Sequence, residues 1–393
     1  MENRVGSGRG LGPTAEAATA EATRKAVDGL SGADATFGFL FASPSFSLND
    51  CLRTARARAG IADIVGCTTA GEFTEEGLIH GGVVVLLVAG QGMHQVASAR
   101  GVAAQPAAAA ARLCEGFAAA KKKALGNGLV NSTTFTLVDG LSGAGERYVE
   151  ALVSHTSALH PVVGGAAGDE GKFEATHVGG NGHEGRDVAA AVHVFSKTPF
   201  GVGVGHGLSP TTASMRVTRA KANVVSEIDG KPAFSIYQEH ARKRGITLTA
   251  KGAGEYLIAN ELGILVGREV TRARAPLSVG NDGSLTCAAD VPQGAFVTIL
   301  DGEPDHMVAA ARKAAQEARA GLQGAQPAGV LLFDCICRGL ILKEGFKREI
   351  DAVRSVFGNV PVAGFLTYGE IASYAGGIDA WHNTTAVVVA IPQ

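Results

Sequence analysis

Apolar positions in this chain come as short continuous runs that end at glycines, with stretches of helical period between them. Residues 14–29 place Ala and Val at helical spacing behind Thr14, a residue suited to cap, and predict a helix. Beyond it three segments share one order of elements. The first predicts a strand (36–42), a helix (48–59), a strand (61–65), a glycine turn (66–72) and a strand (83–88). The second repeats this at 134–138, 145–155, 161–163, 164–169 and 188–195, and the third at 329–336, 347–357, 360–363, 364–370 and 385–391. Two strands joined through a helix favour a right-handed parallel crossover, beside which the last strand can add.

In each copy two glycines bracket a turn of small residues, and an acidic residue follows: Glu72, Asp169 and Glu370. Between the second and third copies lie the alternating glycines 201–207, strand-like 214–217 and 224–227, and a helix starting at Pro232. Short strands follow over 248–300, with a hairpin turn at Asn281-Asp282-Gly283, and then an Ala-rich helix over 306–321. Residues 1–13 have no periodicity and are expected to be mobile. The pattern predicts an α+β fold of βαβ-like modules with mixed sheets and internal pseudo-repeats. Its expected segments are a helix and linker at 14–35 and two domains at 36–205 and 206–393.

Composition narrows the function. Thirty-five Lys and Arg against 37 Asp and Glu leave a formal charge of −2, so no electrostatic footprint for nucleic acid or an anionic membrane exists. Six cysteines do not describe a disulfide framework. No apolar run reaches the roughly 18 residues of a spanning helix, and a cytoplasmic protein is expected. Glycine, 54 of 393 residues, is about twice as frequent as its usual roughly 7%. Those glycines sit where a chain turns sharply or lets another group approach its backbone.

Seven motifs together resemble the FIST sensory proteins: GCTTAGE at 66–72, VDGLSG at 138–143, VVGGAAGD at 162–169, GVGVGHG at 201–207, CICRG at 335–339, GFLTYGE at 364–370 and WHNTTAVV at 381–388. The resemblance implies FIST N and FIST C domains in that order and a ligand-sensing role in signal transduction, with amino acids among the proposed ligands. One stand-alone branch of the family binds haem, senses nitric oxide and regulates a partner histidine kinase. With no appended output domain in the sequence, signalling would pass through contact with another protein.

The candidate site residues follow from the repeats. Glu72, Asp169 and Glu370 could accept hydrogen bonds from a ligand ammonium, or could cap their own turns. Asp139 and residues 335–338 follow strands in copies two and three, and ligands gather at the carboxyl ends of parallel strands. Arg338 reads either as a solvated strand end or as an anion clamp for a ligand carboxylate. Cys335 and Cys337 would share one strand face as buried small hydrophobes. His206 and His382, inside family-like motifs, are the candidate haem ligands, with Cys67, Cys335 and Tyr368 as weaker alternatives. The chain has no GxSxG, HExxH, CxxCH or phosphate-loop motif and is expected not to be an enzyme. Acid–base chemistry on a small metabolite by Asp139, Glu370 and His382 is the alternative.

Overall fold

The computed structural model of the chain describes residues 2–90, 92–156, 160–373 and 381–393. Three similar units appear in it, each longer than the sequence pattern implies. The first has an edge strand Arg4–Leu11, a helix Ala15–Gly29, and parallel inner strands Phe37–Ala42 and Ile64–Thr68 joined by the helix Leu48–Ala59. A small hairpin, Glu72–Thr74 with Gly77–Ile79, then leads to the closing strand Gly82–Ala89. The second unit runs from Met93–Arg100 through inner strands Asn131–Val138 and Val162–Ala166, the hairpin Val178–Gly179 with Glu184–Gly185, and Val188–Ser196. The third begins at Gly201–Gly205. It continues after a long insertion with the helix Pro304–Gly321, inner strands Pro327–Cys335 and Val362–Thr367, the hairpin Glu370–Ser373 with Trp381–His382, and Ala386–Pro392.

Register shows that the units are equivalent. Leu40 lies opposite Gly66, Thr136 opposite Gly164 and Leu332 opposite Gly364 across the three parallel pairs. Each hairpin leaves its own unit and completes the sheet of another. Val178 of the second unit pairs with Cys67 of the first, Glu370 of the third with Gly165 of the second, and Glu72 of the first with Phe365 of the third. Three six-stranded sheets among the described residues are therefore linked in a closed cycle.

The inner faces of these sheets share one core in which Phe39, Phe41, Phe135, Phe333 and Phe365 are at most 1% exposed. Phe41 meets Phe365 at 4.6 Å between ring centroids and Phe39 meets Phe135 at 5.2 Å. Each ring buried here contributes roughly 1.5–3 kcal/mol. Helices cover the outer faces. The insertion in the third unit is a nine-stranded sheet with the helices Ala233–Lys243 and Gly254–Ala259 and a core of its own. The expected Asn281–Gly283 turn joins its strands Pro276–Val279 and Leu285–Cys287, and Gly283 has the left-handed φ of +77°.

Two expectations are corrected. The stretch 1–13, of which Met1 lies outside the described residues, is not a mobile end: Arg4–Leu11 is fully paired with Gly82–Ala89. Its glycines hide the strand from a hydrophobic-pattern reading, because alternate positions face a helix backbone rather than side chains. A Cβ at Gly6, Gly8 or Gly10 would stand 1.9, 2.2 or 2.0 Å from the carbonyl oxygens of Ala26, Ala22 and Ala18. The strand Gly201–Gly205 makes the same contact with Ala318 and Ala314 at 1.7 and 1.8 Å. A cut at 205/206 does not separate two bodies either. One sheet combines Glu72–Thr74 and Gly201–Gly205 with strands of the carboxy-terminal half, and another takes Glu370–Ser373 into the amino-terminal half.

Gly203→Ala is expected to destabilise the protein by about 2–3 kcal/mol, because the helix carbonyl has to move. Gly254→Ala, with open space around it, should stay within about 0.5 kcal/mol. Urea unfolding midpoints compare the two, and equal midpoints would refute the close-approach account.

Candidate functional site

Glu72 and Glu370 are built alike. Each opens its hairpin, is fully buried, and accepts a hydrogen bond from a threonine three residues earlier, Thr69 at 2.5 Å and Thr367 respectively. The second oxygen of Glu370 takes the Thr385 N–H at 3.0 Å, whereas that of Glu72 has no partner among the described residues. Burial without a cation raises both pKa values, Glu72 to about 8 and Glu370 well above its usual range. They lie in different sheets and do not converge on one ligand.

Asp169 is not their counterpart. Val178 holds the equivalent register position, and residues 169–177 form an extra loop. The Asp169 carboxylate organises that loop by accepting the N–H groups of Phe173, Glu174 and Ala175 at 2.9, 2.7 and 2.9 Å and the hydroxyl of Tyr368. Burial acts to raise its pKa, but these hydrogen bonds prevail and lower it. The Tyr368 oxygen also accepts the Gly171 N–H at 2.8 Å, and its ring stacks on Phe173 at 4.8 Å. Asp139 accepts from the Leu141 N–H at 3.0 Å, the Asp187 N–H and the Thr176 hydroxyl, which ties the same loop to the turn after Asn131–Val138. The structure thus brings Asp139, Asp169 and Tyr368 together as turn-holding groups.

Arg338 is neither a solvated strand end nor an anion clamp. It is fully buried, and all five of its donors are used. Nε and one Nη2 hydrogen go to Glu349 at 2.9 and 2.6 Å, the other Nη2 hydrogen goes to the Met307 carbonyl, and Nη1 serves the carbonyls of His206 and Thr384. Asp334 stands 3.1 Å from Nε, and burial beside Glu349 pushes its carboxyl well up. Cys335 and Cys337 do not share a strand face: Cys335 ends Pro327–Cys335, and Cys337 lies in the helix Ile336–Leu342. Both are buried beside Ala275. Burial raises the thiols of Cys335 and Cys67 far from the thiolate range.

Pattern reasoning missed a cleft of about 350 Å³ between the turn 140–147 and the inserted β unit, lined among others by Gly145, Glu146, Arg147, Asn223, Asp290 and Trp381. Glycine makes room for the indole, since a Cβ at Gly145 or Gly369 would come within 2.4 or 2.3 Å of the Trp381 ring. Glu146 joins the two bodies through Arg274 at 2.9 Å and Arg272 at 3.2 Å, and the fully buried Arg274 also donates from Nε to the Asp290 carbonyl at 3.0 Å. Burial raises the Glu146 pKa against the pull of these arginines. The second oxygen of Glu146 and Nε1 of Trp381 have no partner among the described residues. Glu261 of the inserted unit makes another tie, accepting the Thr384 hydroxyl, and burial raises its pKa to about 8. The spacing of glycines around Gly140, Gly143 and Gly145 was the available signal, but a remote tryptophan fills that space.

Residues 36–231 match the FIST N domain and residues 233–373 the FIST C domain. The chain belongs to the FIST family. FIST domains are sensory domains associated with small-ligand detection in signal transduction. An uncharacterized protein of Methanocaldococcus jannaschii is 39% identical over 79 residues, a stretch covering 20% of this FIST chain and 15% of that protein. The junction between the two FIST matches falls inside the inserted β unit, immediately before the helix Ala233–Lys243. No helix among the described residues is long and apolar enough to cross a membrane.

The raised carboxyls set a pH dependence. Between pH 4.5 and 8 the unfolded chain releases the Glu72 proton while the folded chain keeps it, so this group's effect is to lower stability as pH rises through that window. The slope is on the order of 1 kcal/mol per pH unit. Glu72→Gln should flatten that part of the profile in urea titrations at pH 5–8, and an unchanged profile would contradict a buried neutral Glu72. Arg338→Ala leaves buried carboxyls without their cation and is expected to cost about 3–5 kcal/mol of stability in the same assay; a near-neutral variant would contradict the structural role.

Proposed function

We propose that this FIST protein senses a small polar ligand held in the cleft between the 140–147 turn and the inserted β unit. The observation that carries this reading is the pair of unpartnered polar atoms, Trp381 Nε1 and Glu146 Oε2, on residues lining a cleft bridged by the Glu146–Arg274 ion pair. Buried polar atoms without partners are costly; both atoms are covered in the present arrangement, so a ligand that opens the cleft to reach them supplies the missing partners and gains affinity. The cleft lies beyond the carboxyl end of a parallel strand and has the size of a small-molecule site. A ligand touching both bodies favours the arrangement in which they are closed on it, and that differential affinity supplies a signal. The output passes to another protein, a histidine kinase being the partner that the family resemblance suggests.

Haem as the sensed group, with nitric oxide as its ligand, finds less support. An axial histidine needs a ring nitrogen whose lone pair faces a cavity. In His206, Nδ1 accepts the Leu208 N–H at 2.9 Å, which places the proton of the neutral ring on Nε2. In His382, Nε2 donates to the Ala372 carbonyl at 3.1 Å, and burial holds the pKa down to about 4. His206 thus has its Nδ1 lone pair already engaged, whereas His382 keeps one on Nδ1, and its ring is buried. For catalysis on a metabolite, Glu370 and His382 do face each other across their hairpin, but the oxygens of Asp139 are already committed to three donors.

A thermal-shift screen of small polar metabolites should find a compound that raises the melting temperature of the wild type. Ala288→Phe, which fills the cleft from the inserted unit, should abolish that rise. A compound that stabilises Ala288→Phe equally would place the site elsewhere.

A further inference from the structure

We propose that Glu261 makes the joint between the inserted β unit and the ring of three units proton-dependent: its protonated carboxyl belongs to the closed joint, and opening releases the proton. This device does not depend on a ligand in the cleft. The insert has a core of its own and two short links to the ring, residues 206–208 before Ser209–Pro210 and residues 302–303 before the helix Pro304–Gly321. A body so connected can lift away without unfolding the sheets it leaves.

Glu261 stands at the root of that body. Its carbonyl accepts the Leu300 N–H at 2.8 Å, and the carbonyl of Ala259 accepts the Gly302 N–H at 3.3 Å, so its backbone belongs to the insert beside the second link. Its side chain crosses to the ring. There Oε1 accepts the Thr384 hydroxyl, while Oε2 has no partner among the described residues, and the whole residue is buried. Arg338 anchors the ring side by donating to the carbonyl of Thr384 and to that of His206 in the first link. Opening the joint therefore takes Glu261 from a threonine hydroxyl in a dry interface into water.

The charged and titratable groups that face this carboxyl leave it without a paired cation. They are Arg274, Tyr237 and Cys287 of the insert and Arg338 and Cys335 of the ring. Arg274 donates to Glu146 and to the carbonyls of Asp290 and Ala273, and Arg338 to Glu349 and three carbonyls. Burial outweighs the Thr384 hydroxyl and both arginines and pushes the Glu261 carboxyl up to about 8. In the open joint water restores its ordinary value of 4.5. Between these values the closed joint keeps a proton that the open joint has lost. Opening then becomes about tenfold easier per pH unit across that window and levels off above it.

Two thiols report the opening. Cys335 and Cys337 of the ring pack against Ala275, Ala288 and Ile258 of the insert, whereas Cys67 lies in the core shared by the sheets of the ring. Full-length protein is alkylated with iodoacetamide from about pH 5.5 to 9, and the cysteine peptides are followed by mass spectrometry. Glu261→Gln, which cannot ionise, is measured beside the wild type so that the thiols' own response to pH cancels. The ratio of wild-type to variant rates at Cys335 and Cys337 is expected to rise about tenfold per pH unit up to about pH 8 and then to level, with Cys67 lagging far behind. Glu72→Gln, a change within the ring, should leave the rates of this pair as they are. A ratio that stays flat across the range overturns the proposal. So does alkylation of Cys67 at the same rate as the pair, because the reagent then enters through unfolding of the whole chain. If Glu261→Gln does not fold, the wild type decides: about a hundredfold per pH unit below pH 8 supports the proton-dependent joint, and the tenfold of thiol ionisation alone refutes it.

Discussion

Six backbone hydrogen bonds hold the centre of this protein. The N–H groups of Ala70, Gly168 and Tyr368 donate to the carbonyls of Leu366, Thr68 and Ala166, and those of Leu366, Thr68 and Ala166 donate to Gly71, His177 and Gly369. Each bond runs from one unit to its neighbour, so the three glycine turns interlock around a common axis. The exchange of hairpins follows, since a chain that crosses at this collar emerges beside the neighbouring sheet. Glycine is required there for steric reasons: at Gly164 and Gly364 a Cβ would stand 1.8 and 2.0 Å from the carbonyls of Thr136 and Leu332.

Such a centre constrains electrostatics. Main-chain groups pair with main-chain groups, and the acidic side chains that enter the interior find hydroxyls rather than cations. Glu72 and Glu261 each have a threonine and an unpartnered oxygen, and Asp334 shares a single arginine with Glu349. With one guanidinium between two buried carboxyls, the Asp334 carboxyl is pushed well above its usual range. Arg338 in turn holds carbonyls of three segments that meet where the insertion leaves and rejoins the ring. It ties the helix Pro304–Gly321 to the ends of the paired strands Gly201–Gly205 and Ala386–Pro392.

The departures from threefold repetition lie together. The extra loop 169–177, the inserted β unit and the tryptophan of the third hairpin all adjoin the turn after Asn131–Val138. The hairpin positions matching Trp381 carry Leu78 and Glu184. The cleft lined by Glu146 and Trp381 lies where the repetition has been interrupted. Asp139 couples these departures, since its carboxylate holds both the cleft turn, through Leu141, and the loop, through Thr176.

Local physics made much of this legible from the residues alone. The parallel strand–helix–strand units, the capping by Thr14, the Asn281–Gly283 hairpin and the close packing of the 201–205 glycines all follow from period, cap and turn chemistry within a few residues. The pattern also fixed the family's motifs in order. Long-range choices were beyond it. Gly6, Gly8 and Gly10 spell no hydrophobic face, because what they meet is a helix backbone. Asp169 resembles Glu72 in spacing but not in register, which only strand pairing defines. Arg338 reads as a free charge until carbonyls from remote segments are folded around it, and Trp381 and Gly145 acquire a shared role only when a hairpin of one unit is laid over the turn of another. Periodicity records which face of an element is buried, whereas the partner that buries it is a choice among distant segments, made by packing and by satisfaction of buried polar groups in three dimensions.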